Sequence, residues 1–396
     1  MFGDTVTDRS VGVGLIGVGW MGRLHTRSYL AVRAHYPGRP RQPRLAIAAD
    51  PVETNREFAR NSLGYPQVTS DYRMVIENPE VDVISICSPN QLHREIALAA
   101  ADAGKPFWIE KPMGRTAGES ADITRAAANA GLITCVGFNY RHAPMIQHAR
   151  ALIEQGRLGA INRVTVSFLA DYSADPRGAR TWRFVREQAG SGVLGDLMSH
   201  GIDLAGFLVG PISEVSAVTQ TVIGDRPVPA VQGAGHFSAG VDGERLPVEN
   251  EDHVAMIARF AGSSAVGFLE ASRIAIGHRA DYSLRVAGTL GEVAWNFSRM
   301  NELEVCISGS ALEHGFTRVE AAPGHGDFEH FQPGSGTAMG FDDLKVIEAR
   351  LFLDSLATGK QLAPSAADAW AAAEVVAAAE RSAGDGRWHT VRPIAS

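Results

Sequence analysis

Val13-Gly14-Leu15-Ile16-Gly17-Val18-Gly19-Trp20-Met21-Gly22-Arg23-Leu24-His25 carries an apolar run into three spaced glycines and then into a segment able to start a helix. A strand that ends in Gly17-x-Gly19-x-x-Gly22 and turns into a helix offers bare backbone to a pyrophosphate, whose charge rests on the helix N-terminus. Glycine-rich turns are common, so this stretch alone is weak. Its weight comes from a second one, Glu110-Lys111-Pro112, where a lysine precedes a proline at the end of a later strand. Proline holds the residue before it extended, so Lys111 cannot begin a helix and is aimed by the bend. An X-Pro bond can also be cis, which sharpens that aim. Together the two stretches point to dehydrogenase chemistry.

Working outward, the pattern predicts strands over 11–16, 45–49, 81–87, 106–109 and 133–136 with helices over 53–62, 91–103 and 117–129. Gly64, Gly104 and Gly131 fall at or just past the helix ends, where a left-handed cap is wanted. Near-continuous apolar strands separated by helices imply a parallel sheet covered on both faces. Beyond about residue 138 the rhythm changes. A helix over 144–155, a strand over 161–172 and a helix over 194–208 precede strands at 214–222, 252–260, 265–271, 282–286, 293–296 and 303–307. Strands without intervening helices read as a mostly antiparallel sheet. Helices over 341–357 and 366–383 follow, and the Gly/Pro-rich stretches 224–231 and 324–340 read as loops. The expected fold class is α/β: an N-terminal Rossmann dinucleotide-binding domain over 10–137, then a C-terminal α/β domain over 138–396 with a large, open, mostly antiparallel sheet.

The chain has 396 residues, 45% hydrophobic and 20% charged, with a net charge of -7. That composition is globular, and the acidic balance argues against a nucleic-acid-binding face. Arg33, Arg39, Arg41 and Arg44 are interspersed with prolines and read as a solvated loop. No stretch reads as a membrane span of ~20 apolar residues, and the first residues lack the basic and apolar regions of a signal peptide. Cys87, Cys135 and Cys306 are odd in number and far apart, reading as small buried hydrophobes in a cytoplasmic protein.

The cofactor is expected to be NAD, held by Gly17, Gly19, Trp20, Met21 and Gly22. Asp50, ending the second strand, takes the ribose hydroxyls. It lies further on than the usual ~20 residues, which an insertion over 34–44 explains. Asp50 can equally cap the following helix, and both roles can coexist. No Arg or Lys is read after it to neutralise a 2′-phosphate. Ser88-Pro89-Asn90-x-x-His93 follows the third long strand, on the ligand side of such a sheet, and is expected at the cofactor with Glu110 and Lys111. In the second half, Asp196 and His200 are four apart and share a helix face, with Asp203 near enough to orient the imidazole. Asp-x-x-x-His can also ligate a metal, but no third ligand at a recognisable spacing accompanies it, and none is expected. Asp171, Tyr172, Trp182 and Arg183 are candidate substrate-wall residues, since a polyol offers hydroxyls to charged groups and C–H faces to aromatics. Tyr172 and Trp182 can also be plain core aromatics.

At this point the residues resemble the glucose–fructose oxidoreductase/inositol dehydrogenase (Gfo/Idh/MocA) family. The matching elements are Gly17-x-Gly19-x-x-Gly22, Pro89-Asn90-x-x-His93, Glu110-Lys111-Pro112, Gly137-Phe138-Asn139-Tyr140-Arg141 and Gly192-x-x-x-Asp196-x-x-x-His200-x-x-Asp203. Within the family, Asp171-Tyr172-Ser173-Ala174-Asp175-Pro176, Trp182-Arg183-Phe184 and the insertion before Asp50 look most like the levoglucosan dehydrogenase group. The resemblance implies a homodimer or homotetramer built through the open sheet. It also implies a catalytic triad of Lys111, Asp196 and His200 oxidising a secondary alcohol of a sugar, anhydrosugar or cyclitol, with Asn139 and Tyr140 at the substrate. Two other readings remain: a glycosidase that oxidises and re-reduces its sugar on bound NAD, and a non-enzymatic sensor of sugar or NAD.

Overall fold

A computed structural model describes residues 10–39, 41–229, 240–309 and 314–394. The chain forms two units. The first holds the chain up to Gly114, then Gly118–Asn139 and Gly340–Ala369; the second holds Arg115–Ala117, Tyr140–Met339 and the chain from Trp370 onward. Residues 340–369, read from the sequence as part of the second domain, thus belong to the first unit. The reason is packing: the helix Phe341–Thr358 buries Leu344, Ile347 and Phe352 and lies along the helix Trp20–His35. An apolar helix face does not declare in its own sequence which sheet it will cover.

The first unit is a six-stranded parallel sheet of β1 (Val11–Ile16), β2 (Pro43–Ala49), β3 (Gln67–Thr69), β4 (Val83–Ile86), β5 (Phe107–Ile109) and β6 (Thr134–Val136), in the order β3-β2-β1-β4-β5-β6. The order reverses between β1 and β4, and ligands of such sheets bind in the crevice beyond the strand C-termini there. β1 and β4 are wholly buried, as strands covered on both faces must be. Leu15, Val18, Ala48, Ala59 and Tyr65 pack together behind the glycine turn.

The second unit is built on a nine-stranded sheet. Its strands are β7 (Ile161–Leu169), β8 (Ile212–Gln220), β11 (His253–Phe260), β12 (Val266–Ser272), β13 (Asp281–Gly288), β14 (Gly291–Asn296), β15 (Glu302–Ile307), β16 (Thr317–Glu320) and β17 (His389–Thr390). The order is β16-β15-β14-β13-β7-β12-β11-β8-β17. All pairings are antiparallel except β7 with β12, so the first strand of the unit sits in mid-sheet. The stretch 224–231, read as a loop, instead contributes β9 (Asp225–Pro229), which pairs with β10 (Gly240–Pro247) in a separate ribbon. Pro227 and Pro229 disguise it, and a two-stranded ribbon is where strand prolines are tolerated.

Val164, Val166, Phe168, Met256, Leu269, Leu284 and Val286 form the buried face of the large sheet. The helix Ser199–Val209 packs on it, close enough that a β-carbon on Gly201 would lie 2.8 Å from Val166. On the other face Val218, Ile257, Val266 and Phe268 are exposed, with Ile257 directly opposite Phe268. One helical run, Arg186–Val209, is long and apolar enough to cross a membrane by length and composition, contrary to the sequence reading; 78% of its apolar window is buried within the protein, as in a core helix.

Candidate active site

In the first unit the three glycines differ in what they do. Gly17 has φ +92°, and a β-carbon there would meet the Cys87 carbonyl oxygen at 2.6 Å. At Gly22 it would meet the Gly17 carbonyl oxygen at 1.9 Å. Both serve close packing of turn, strand and helix. At Gly19 the space is open. Gly19 is also the N-cap of the helix Trp20–His35, which has no side-chain cap and no acidic residue in its first turn. The first-turn N–H groups and their positive end therefore suit a phosphate. Trp20 is largely exposed and stacks on Phe341, with ring centroids 6.0 Å apart; Met21 is half-buried beside it.

Asp50 ends β2 and is buried. Its Oδ2 accepts the Val18 N–H at 2.8 Å, and its Oδ1 accepts the Val52 N–H at 2.9 Å and Asn55 Nδ2 at 3.2 Å. It thus ties the glycine turn to the start of the next helix, and Val52, not Asp50, is the N-cap. An arginine does follow: Arg56 reaches the Asp50 and Pro51 carbonyls at 2.8 Å and pairs with Glu53.

Ser88 and Pro89 follow β4, and Pro89 caps the helix Asn90–Asp102 with Asn90 as its buried first residue. The Ser88 hydroxyl is buried without a protein partner. The His93 ring is buried, with Nε2 2.8 Å from the Ser88 carbonyl and Nδ1 2.9 Å from the Pro112 carbonyl. Burial lowers its pKa. The His93 side chain thus links the turn after β4 to the turn after β5.

The Glu110 side chain also acts as a brace. Its carboxylate lies against His25 Nε2 at 2.9 Å and Lys345 Nζ at 2.6 Å, and accepts the Lys111 N–H at 3.3 Å. Burial alone would raise its pKa, but Lys345 and His25 outweigh that and hold it well below the usual carboxylate range. The Lys111–Pro112 peptide is cis, and Lys111 is half-buried on the turn after β5. Asn139, just past β6, is buried with its Nδ2 unpartnered by protein.

In the second unit Asp196 lies in a π-helical turn, Leu194–Met198, that runs into the helix Ser199–Val209 carrying His200. Such turns recur at functional sites. Tyr172 donates its hydroxyl to Asp196 Oδ2 at 2.7 Å, and burial and then the Asp196 charge push its pKa well above the ordinary value. His200 is buried, its carbonyl accepting from the Tyr282 hydroxyl at 2.9 Å. The buried ring of Tyr140 packs edge-on against His200, Tyr282 and Phe297, with centroids 4.9, 4.9 and 5.1 Å away. The two oxygens of Asp203 take the Arg141 guanidinium, and this ion pair is almost fully buried. Arg183 lies over the Trp182 ring at 4.3 Å, and Asp171 faces the exposed Arg279 at 3.6 Å.

Three consecutive buried residues absent from the sequence reading hold this wall. Asn250 Nδ2 reaches the Arg183 and Ser191 carbonyls at 2.7 and 3.2 Å. Glu251 accepts the Gly192 and Leu194 N–H groups at 2.8 and 2.9 Å, capping the turn that leads to Asp196. Asp252 pairs with Arg273 at 2.8 Å. The signal was an Asn-Glu-Asp run opening a strand, which reads equally well as a solvated loop.

A parallel sheet with an uncapped glycine turn at its switch point, joined to a second α/β unit, defines an NAD-binding oxidoreductase of the Rossmann type. Residues 11–138 match the oxidoreductase family with NAD-binding Rossmann fold, and residues 146–294 match the Gfo/Idh/MocA C-terminal domain. The chain belongs to the Gfo/Idh/MocA family. It is 38% identical to levoglucosan dehydrogenase of Pseudarthrobacter phenanthrenivorans, covering 98% of this chain and 100% of that protein. It is 25% identical to inositol 2-dehydrogenase of Rhizobium meliloti, covering 96% and 98%. A solved levoglucosan dehydrogenase in complex with NADH and levoglucosan superposes with a TM-score of 0.91 at 36% identity, covering 97% of this chain and 100% of that one.

Proposed function

We propose that this protein oxidises a secondary hydroxyl of a sugar, anhydrosugar or cyclitol to a ketone, with NAD as hydride acceptor, and that Lys111, Asp196 and His200 manage the proton. The observation that carries the reading is Lys111 on the turn after β5, at the ligand end of a sheet whose glycine turn suits a pyrophosphate. Full-length similarity to levoglucosan dehydrogenase supports an anhydrosugar among the candidates. When bound, NAD supplies the hydride chemistry. Gly19 and the first turn of Trp20–His35 hold its pyrophosphate, and Asp50 faces its ribose while fixing the glycine turn. Lys111 hydrogen-bonds the reacting hydroxyl and stabilises the alkoxide as it forms. His200 accepts the proton. Asp196, steadied by Tyr172, grips a neighbouring hydroxyl.

The exposed face bearing Val218, Ile257, Val266 and Phe268 supports assembly into a homodimer or homotetramer. The test of the activity is a panel of levoglucosan, inositols, hexoses and other anhydrosugars with NAD, read by NADH absorbance. Free NADH separates net oxidation from a transient redox glycosidase. On the best substrate Lys111→Ala or His200→Ala lowers turnover by roughly 10²-fold or more while NAD binding stays nearly constant. Near-normal turnover of Lys111→Ala overturns the assignment.

A further inference from the structure

The Glu110-Lys111-Pro112 turn rests on a buried ionic cluster that the proposed mechanism does not use. Lys345, 1% exposed, comes from the helix Phe341–Thr358 and lies 2.6 Å from Glu110 Oε1 and 2.8 Å from Glu348 Oε2. Glu348 also accepts the Trp108 indole N–H at 3.1 Å. On the other side, His25 from the helix Trp20–His35 stacks on Trp108 at 3.5 Å. Its Nε2 lies 2.9 Å from Glu110 and its Nδ1 3.2 Å from the Ser85 hydroxyl. Burial pushes the His25 pKa down to about 4, so the ring is neutral, and the tautomer that serves Glu110 has Nε2–H donating to it and Nδ1 accepting from Ser85. Lys345 is therefore a cation set directly on Glu110. The β-carbon position of Gly137 closes the remaining side, 2.7 Å from both Glu110 oxygens.

Glu110 transmits this order directly. One oxygen takes the ammonium and the imidazole; the other takes the Lys111 N–H. A buried carboxylate with mobile partners would shift or bind a proton. One clamped by an ammonium, a ring donor and a close backbone stays ionised and still, and fixes the peptide that launches Lys111.

We propose that Lys345 is a positioning residue for the reaction: through Glu110 it holds the Lys111 main chain where the lysine side chain meets the reacting hydroxyl. This rests on the assignment of Lys111 to the chemistry. A side chain far along the sequence, on a helix carrying none of the family motifs named above, thereby governs the turnover rate without touching substrate or cofactor.

The test is Lys345→Met in the full-length protein. It is read by kcat and KM on the fastest substrate of the panel, by NAD affinity from tryptophan fluorescence, and by thermal melting. Asp342→Asn, on the same helix as Lys345, cuts the exposed pair with Arg27 of the helix Trp20–His35 and controls for helix docking. Since Lys345→Met strands two buried carboxylates, Glu110 and Glu348, the triple variant Glu110→Gln/Lys345→Met/Glu348→Gln, which removes all three charges of the cluster, covers the case of misfolding. The expected result is a fall in kcat of about tenfold or more per folded molecule in either variant, with NAD affinity and substrate KM within about threefold of the parent. Asp342→Asn matches the parent throughout. A lowered melting temperature with unchanged kcat per folded molecule would make Lys345 a mere fastener and overturn the proposal. Lys111→Ala separates the two ideas. If it stays active, the assignment of Lys111 fails; if it is dead while Lys345→Met runs at parental speed, the positioning role fails.

Discussion

Gly137→Ala tests how tightly the seat of Lys111 is built. A β-carbon at this position would lie 2.7 Å from each Glu110 oxygen and 2.8 Å from its carboxyl carbon, against about 3.4 Å for ordinary contact. A carboxylate is usually cheap to displace, being the end of a flexible side chain. Here it is pinned by Lys345 at 2.6 Å and His25 at 2.9 Å. A retreat of about 0.7 Å takes at least one of those bonds outside hydrogen-bonding range. Losing one charge-assisted bond costs about 1.5–3 kcal/mol. For a unit of this size that lowers the melting temperature by roughly 5–10 °C. Because the same movement drags the Lys111 peptide, kcat falls together with stability. Differential scanning calorimetry and initial rates of NADH formation read the two effects. Adding Glu110→Asp, shorter by one methylene, relieves the clash and separates steric strain from the lost glycine. A Gly137→Ala protein that melts within about 1 °C of the parent and turns over at its rate would refute the argument.

Two further outcomes follow from buried charge and from the open sheet. His25, with its pKa pushed down to about 4, takes up a proton on unfolding below about pH 6.5, so its contribution weakens as pH falls from 6.5 towards 4. Glu348, pushed up to about 7 by burial, releases a proton on unfolding between about pH 4.5 and 7, so its contribution grows as pH falls through that window. The two offset each other, and Glu348→Gln removes the second. From pH 6.5 to 4.5 the variant loses about 2–3 kcal/mol more than the parent in urea unfolding, and parallel curves would contradict this. For assembly, light scattering at micromolar concentration shows a dimer or tetramer that Phe268→Glu dissociates, and a monomeric parent would remove that proposal.

The nucleotide unit was legible because much of what determines it is local: Gly22 packs against Gly17 within one turn, Gly19 opens the helix that follows β1, and β1 and β4 are buried throughout. The large sheet was legible as strands but not as an order, since nothing within residues 161–169 says that β7 pairs with β12 and β13. Motif membership did not reveal the bracing contacts of His93, Glu110 and Tyr140, because a motif does not distinguish a residue that braces a site from one that touches ligand. Lys345 and Glu348 were invisible for another reason. In Leu344-Lys345-Val346-Ile347-Glu348 every residue is buried, so over this stretch charged and apolar residues are not parted onto separate faces. Partners 235 residues apart cannot be matched by spacing.

The first unit is assembled from chain segments that leave the ribosome at very different times. The sheet and its flanking helices are complete by Asn139, but the segment Gly340–Ala369 follows only after the whole large sheet has been made. At 5–20 residues per second the roughly 200 intervening residues take about 10–40 s. During that interval Glu110 has no ammonium beside it and the face of Trp108 that meets Lys345 and Glu348 is bare. The nascent nucleotide unit therefore waits, open on one side, and a chain interrupted before residue 340 would be a substrate for chaperones and proteases instead of a free-standing binding domain.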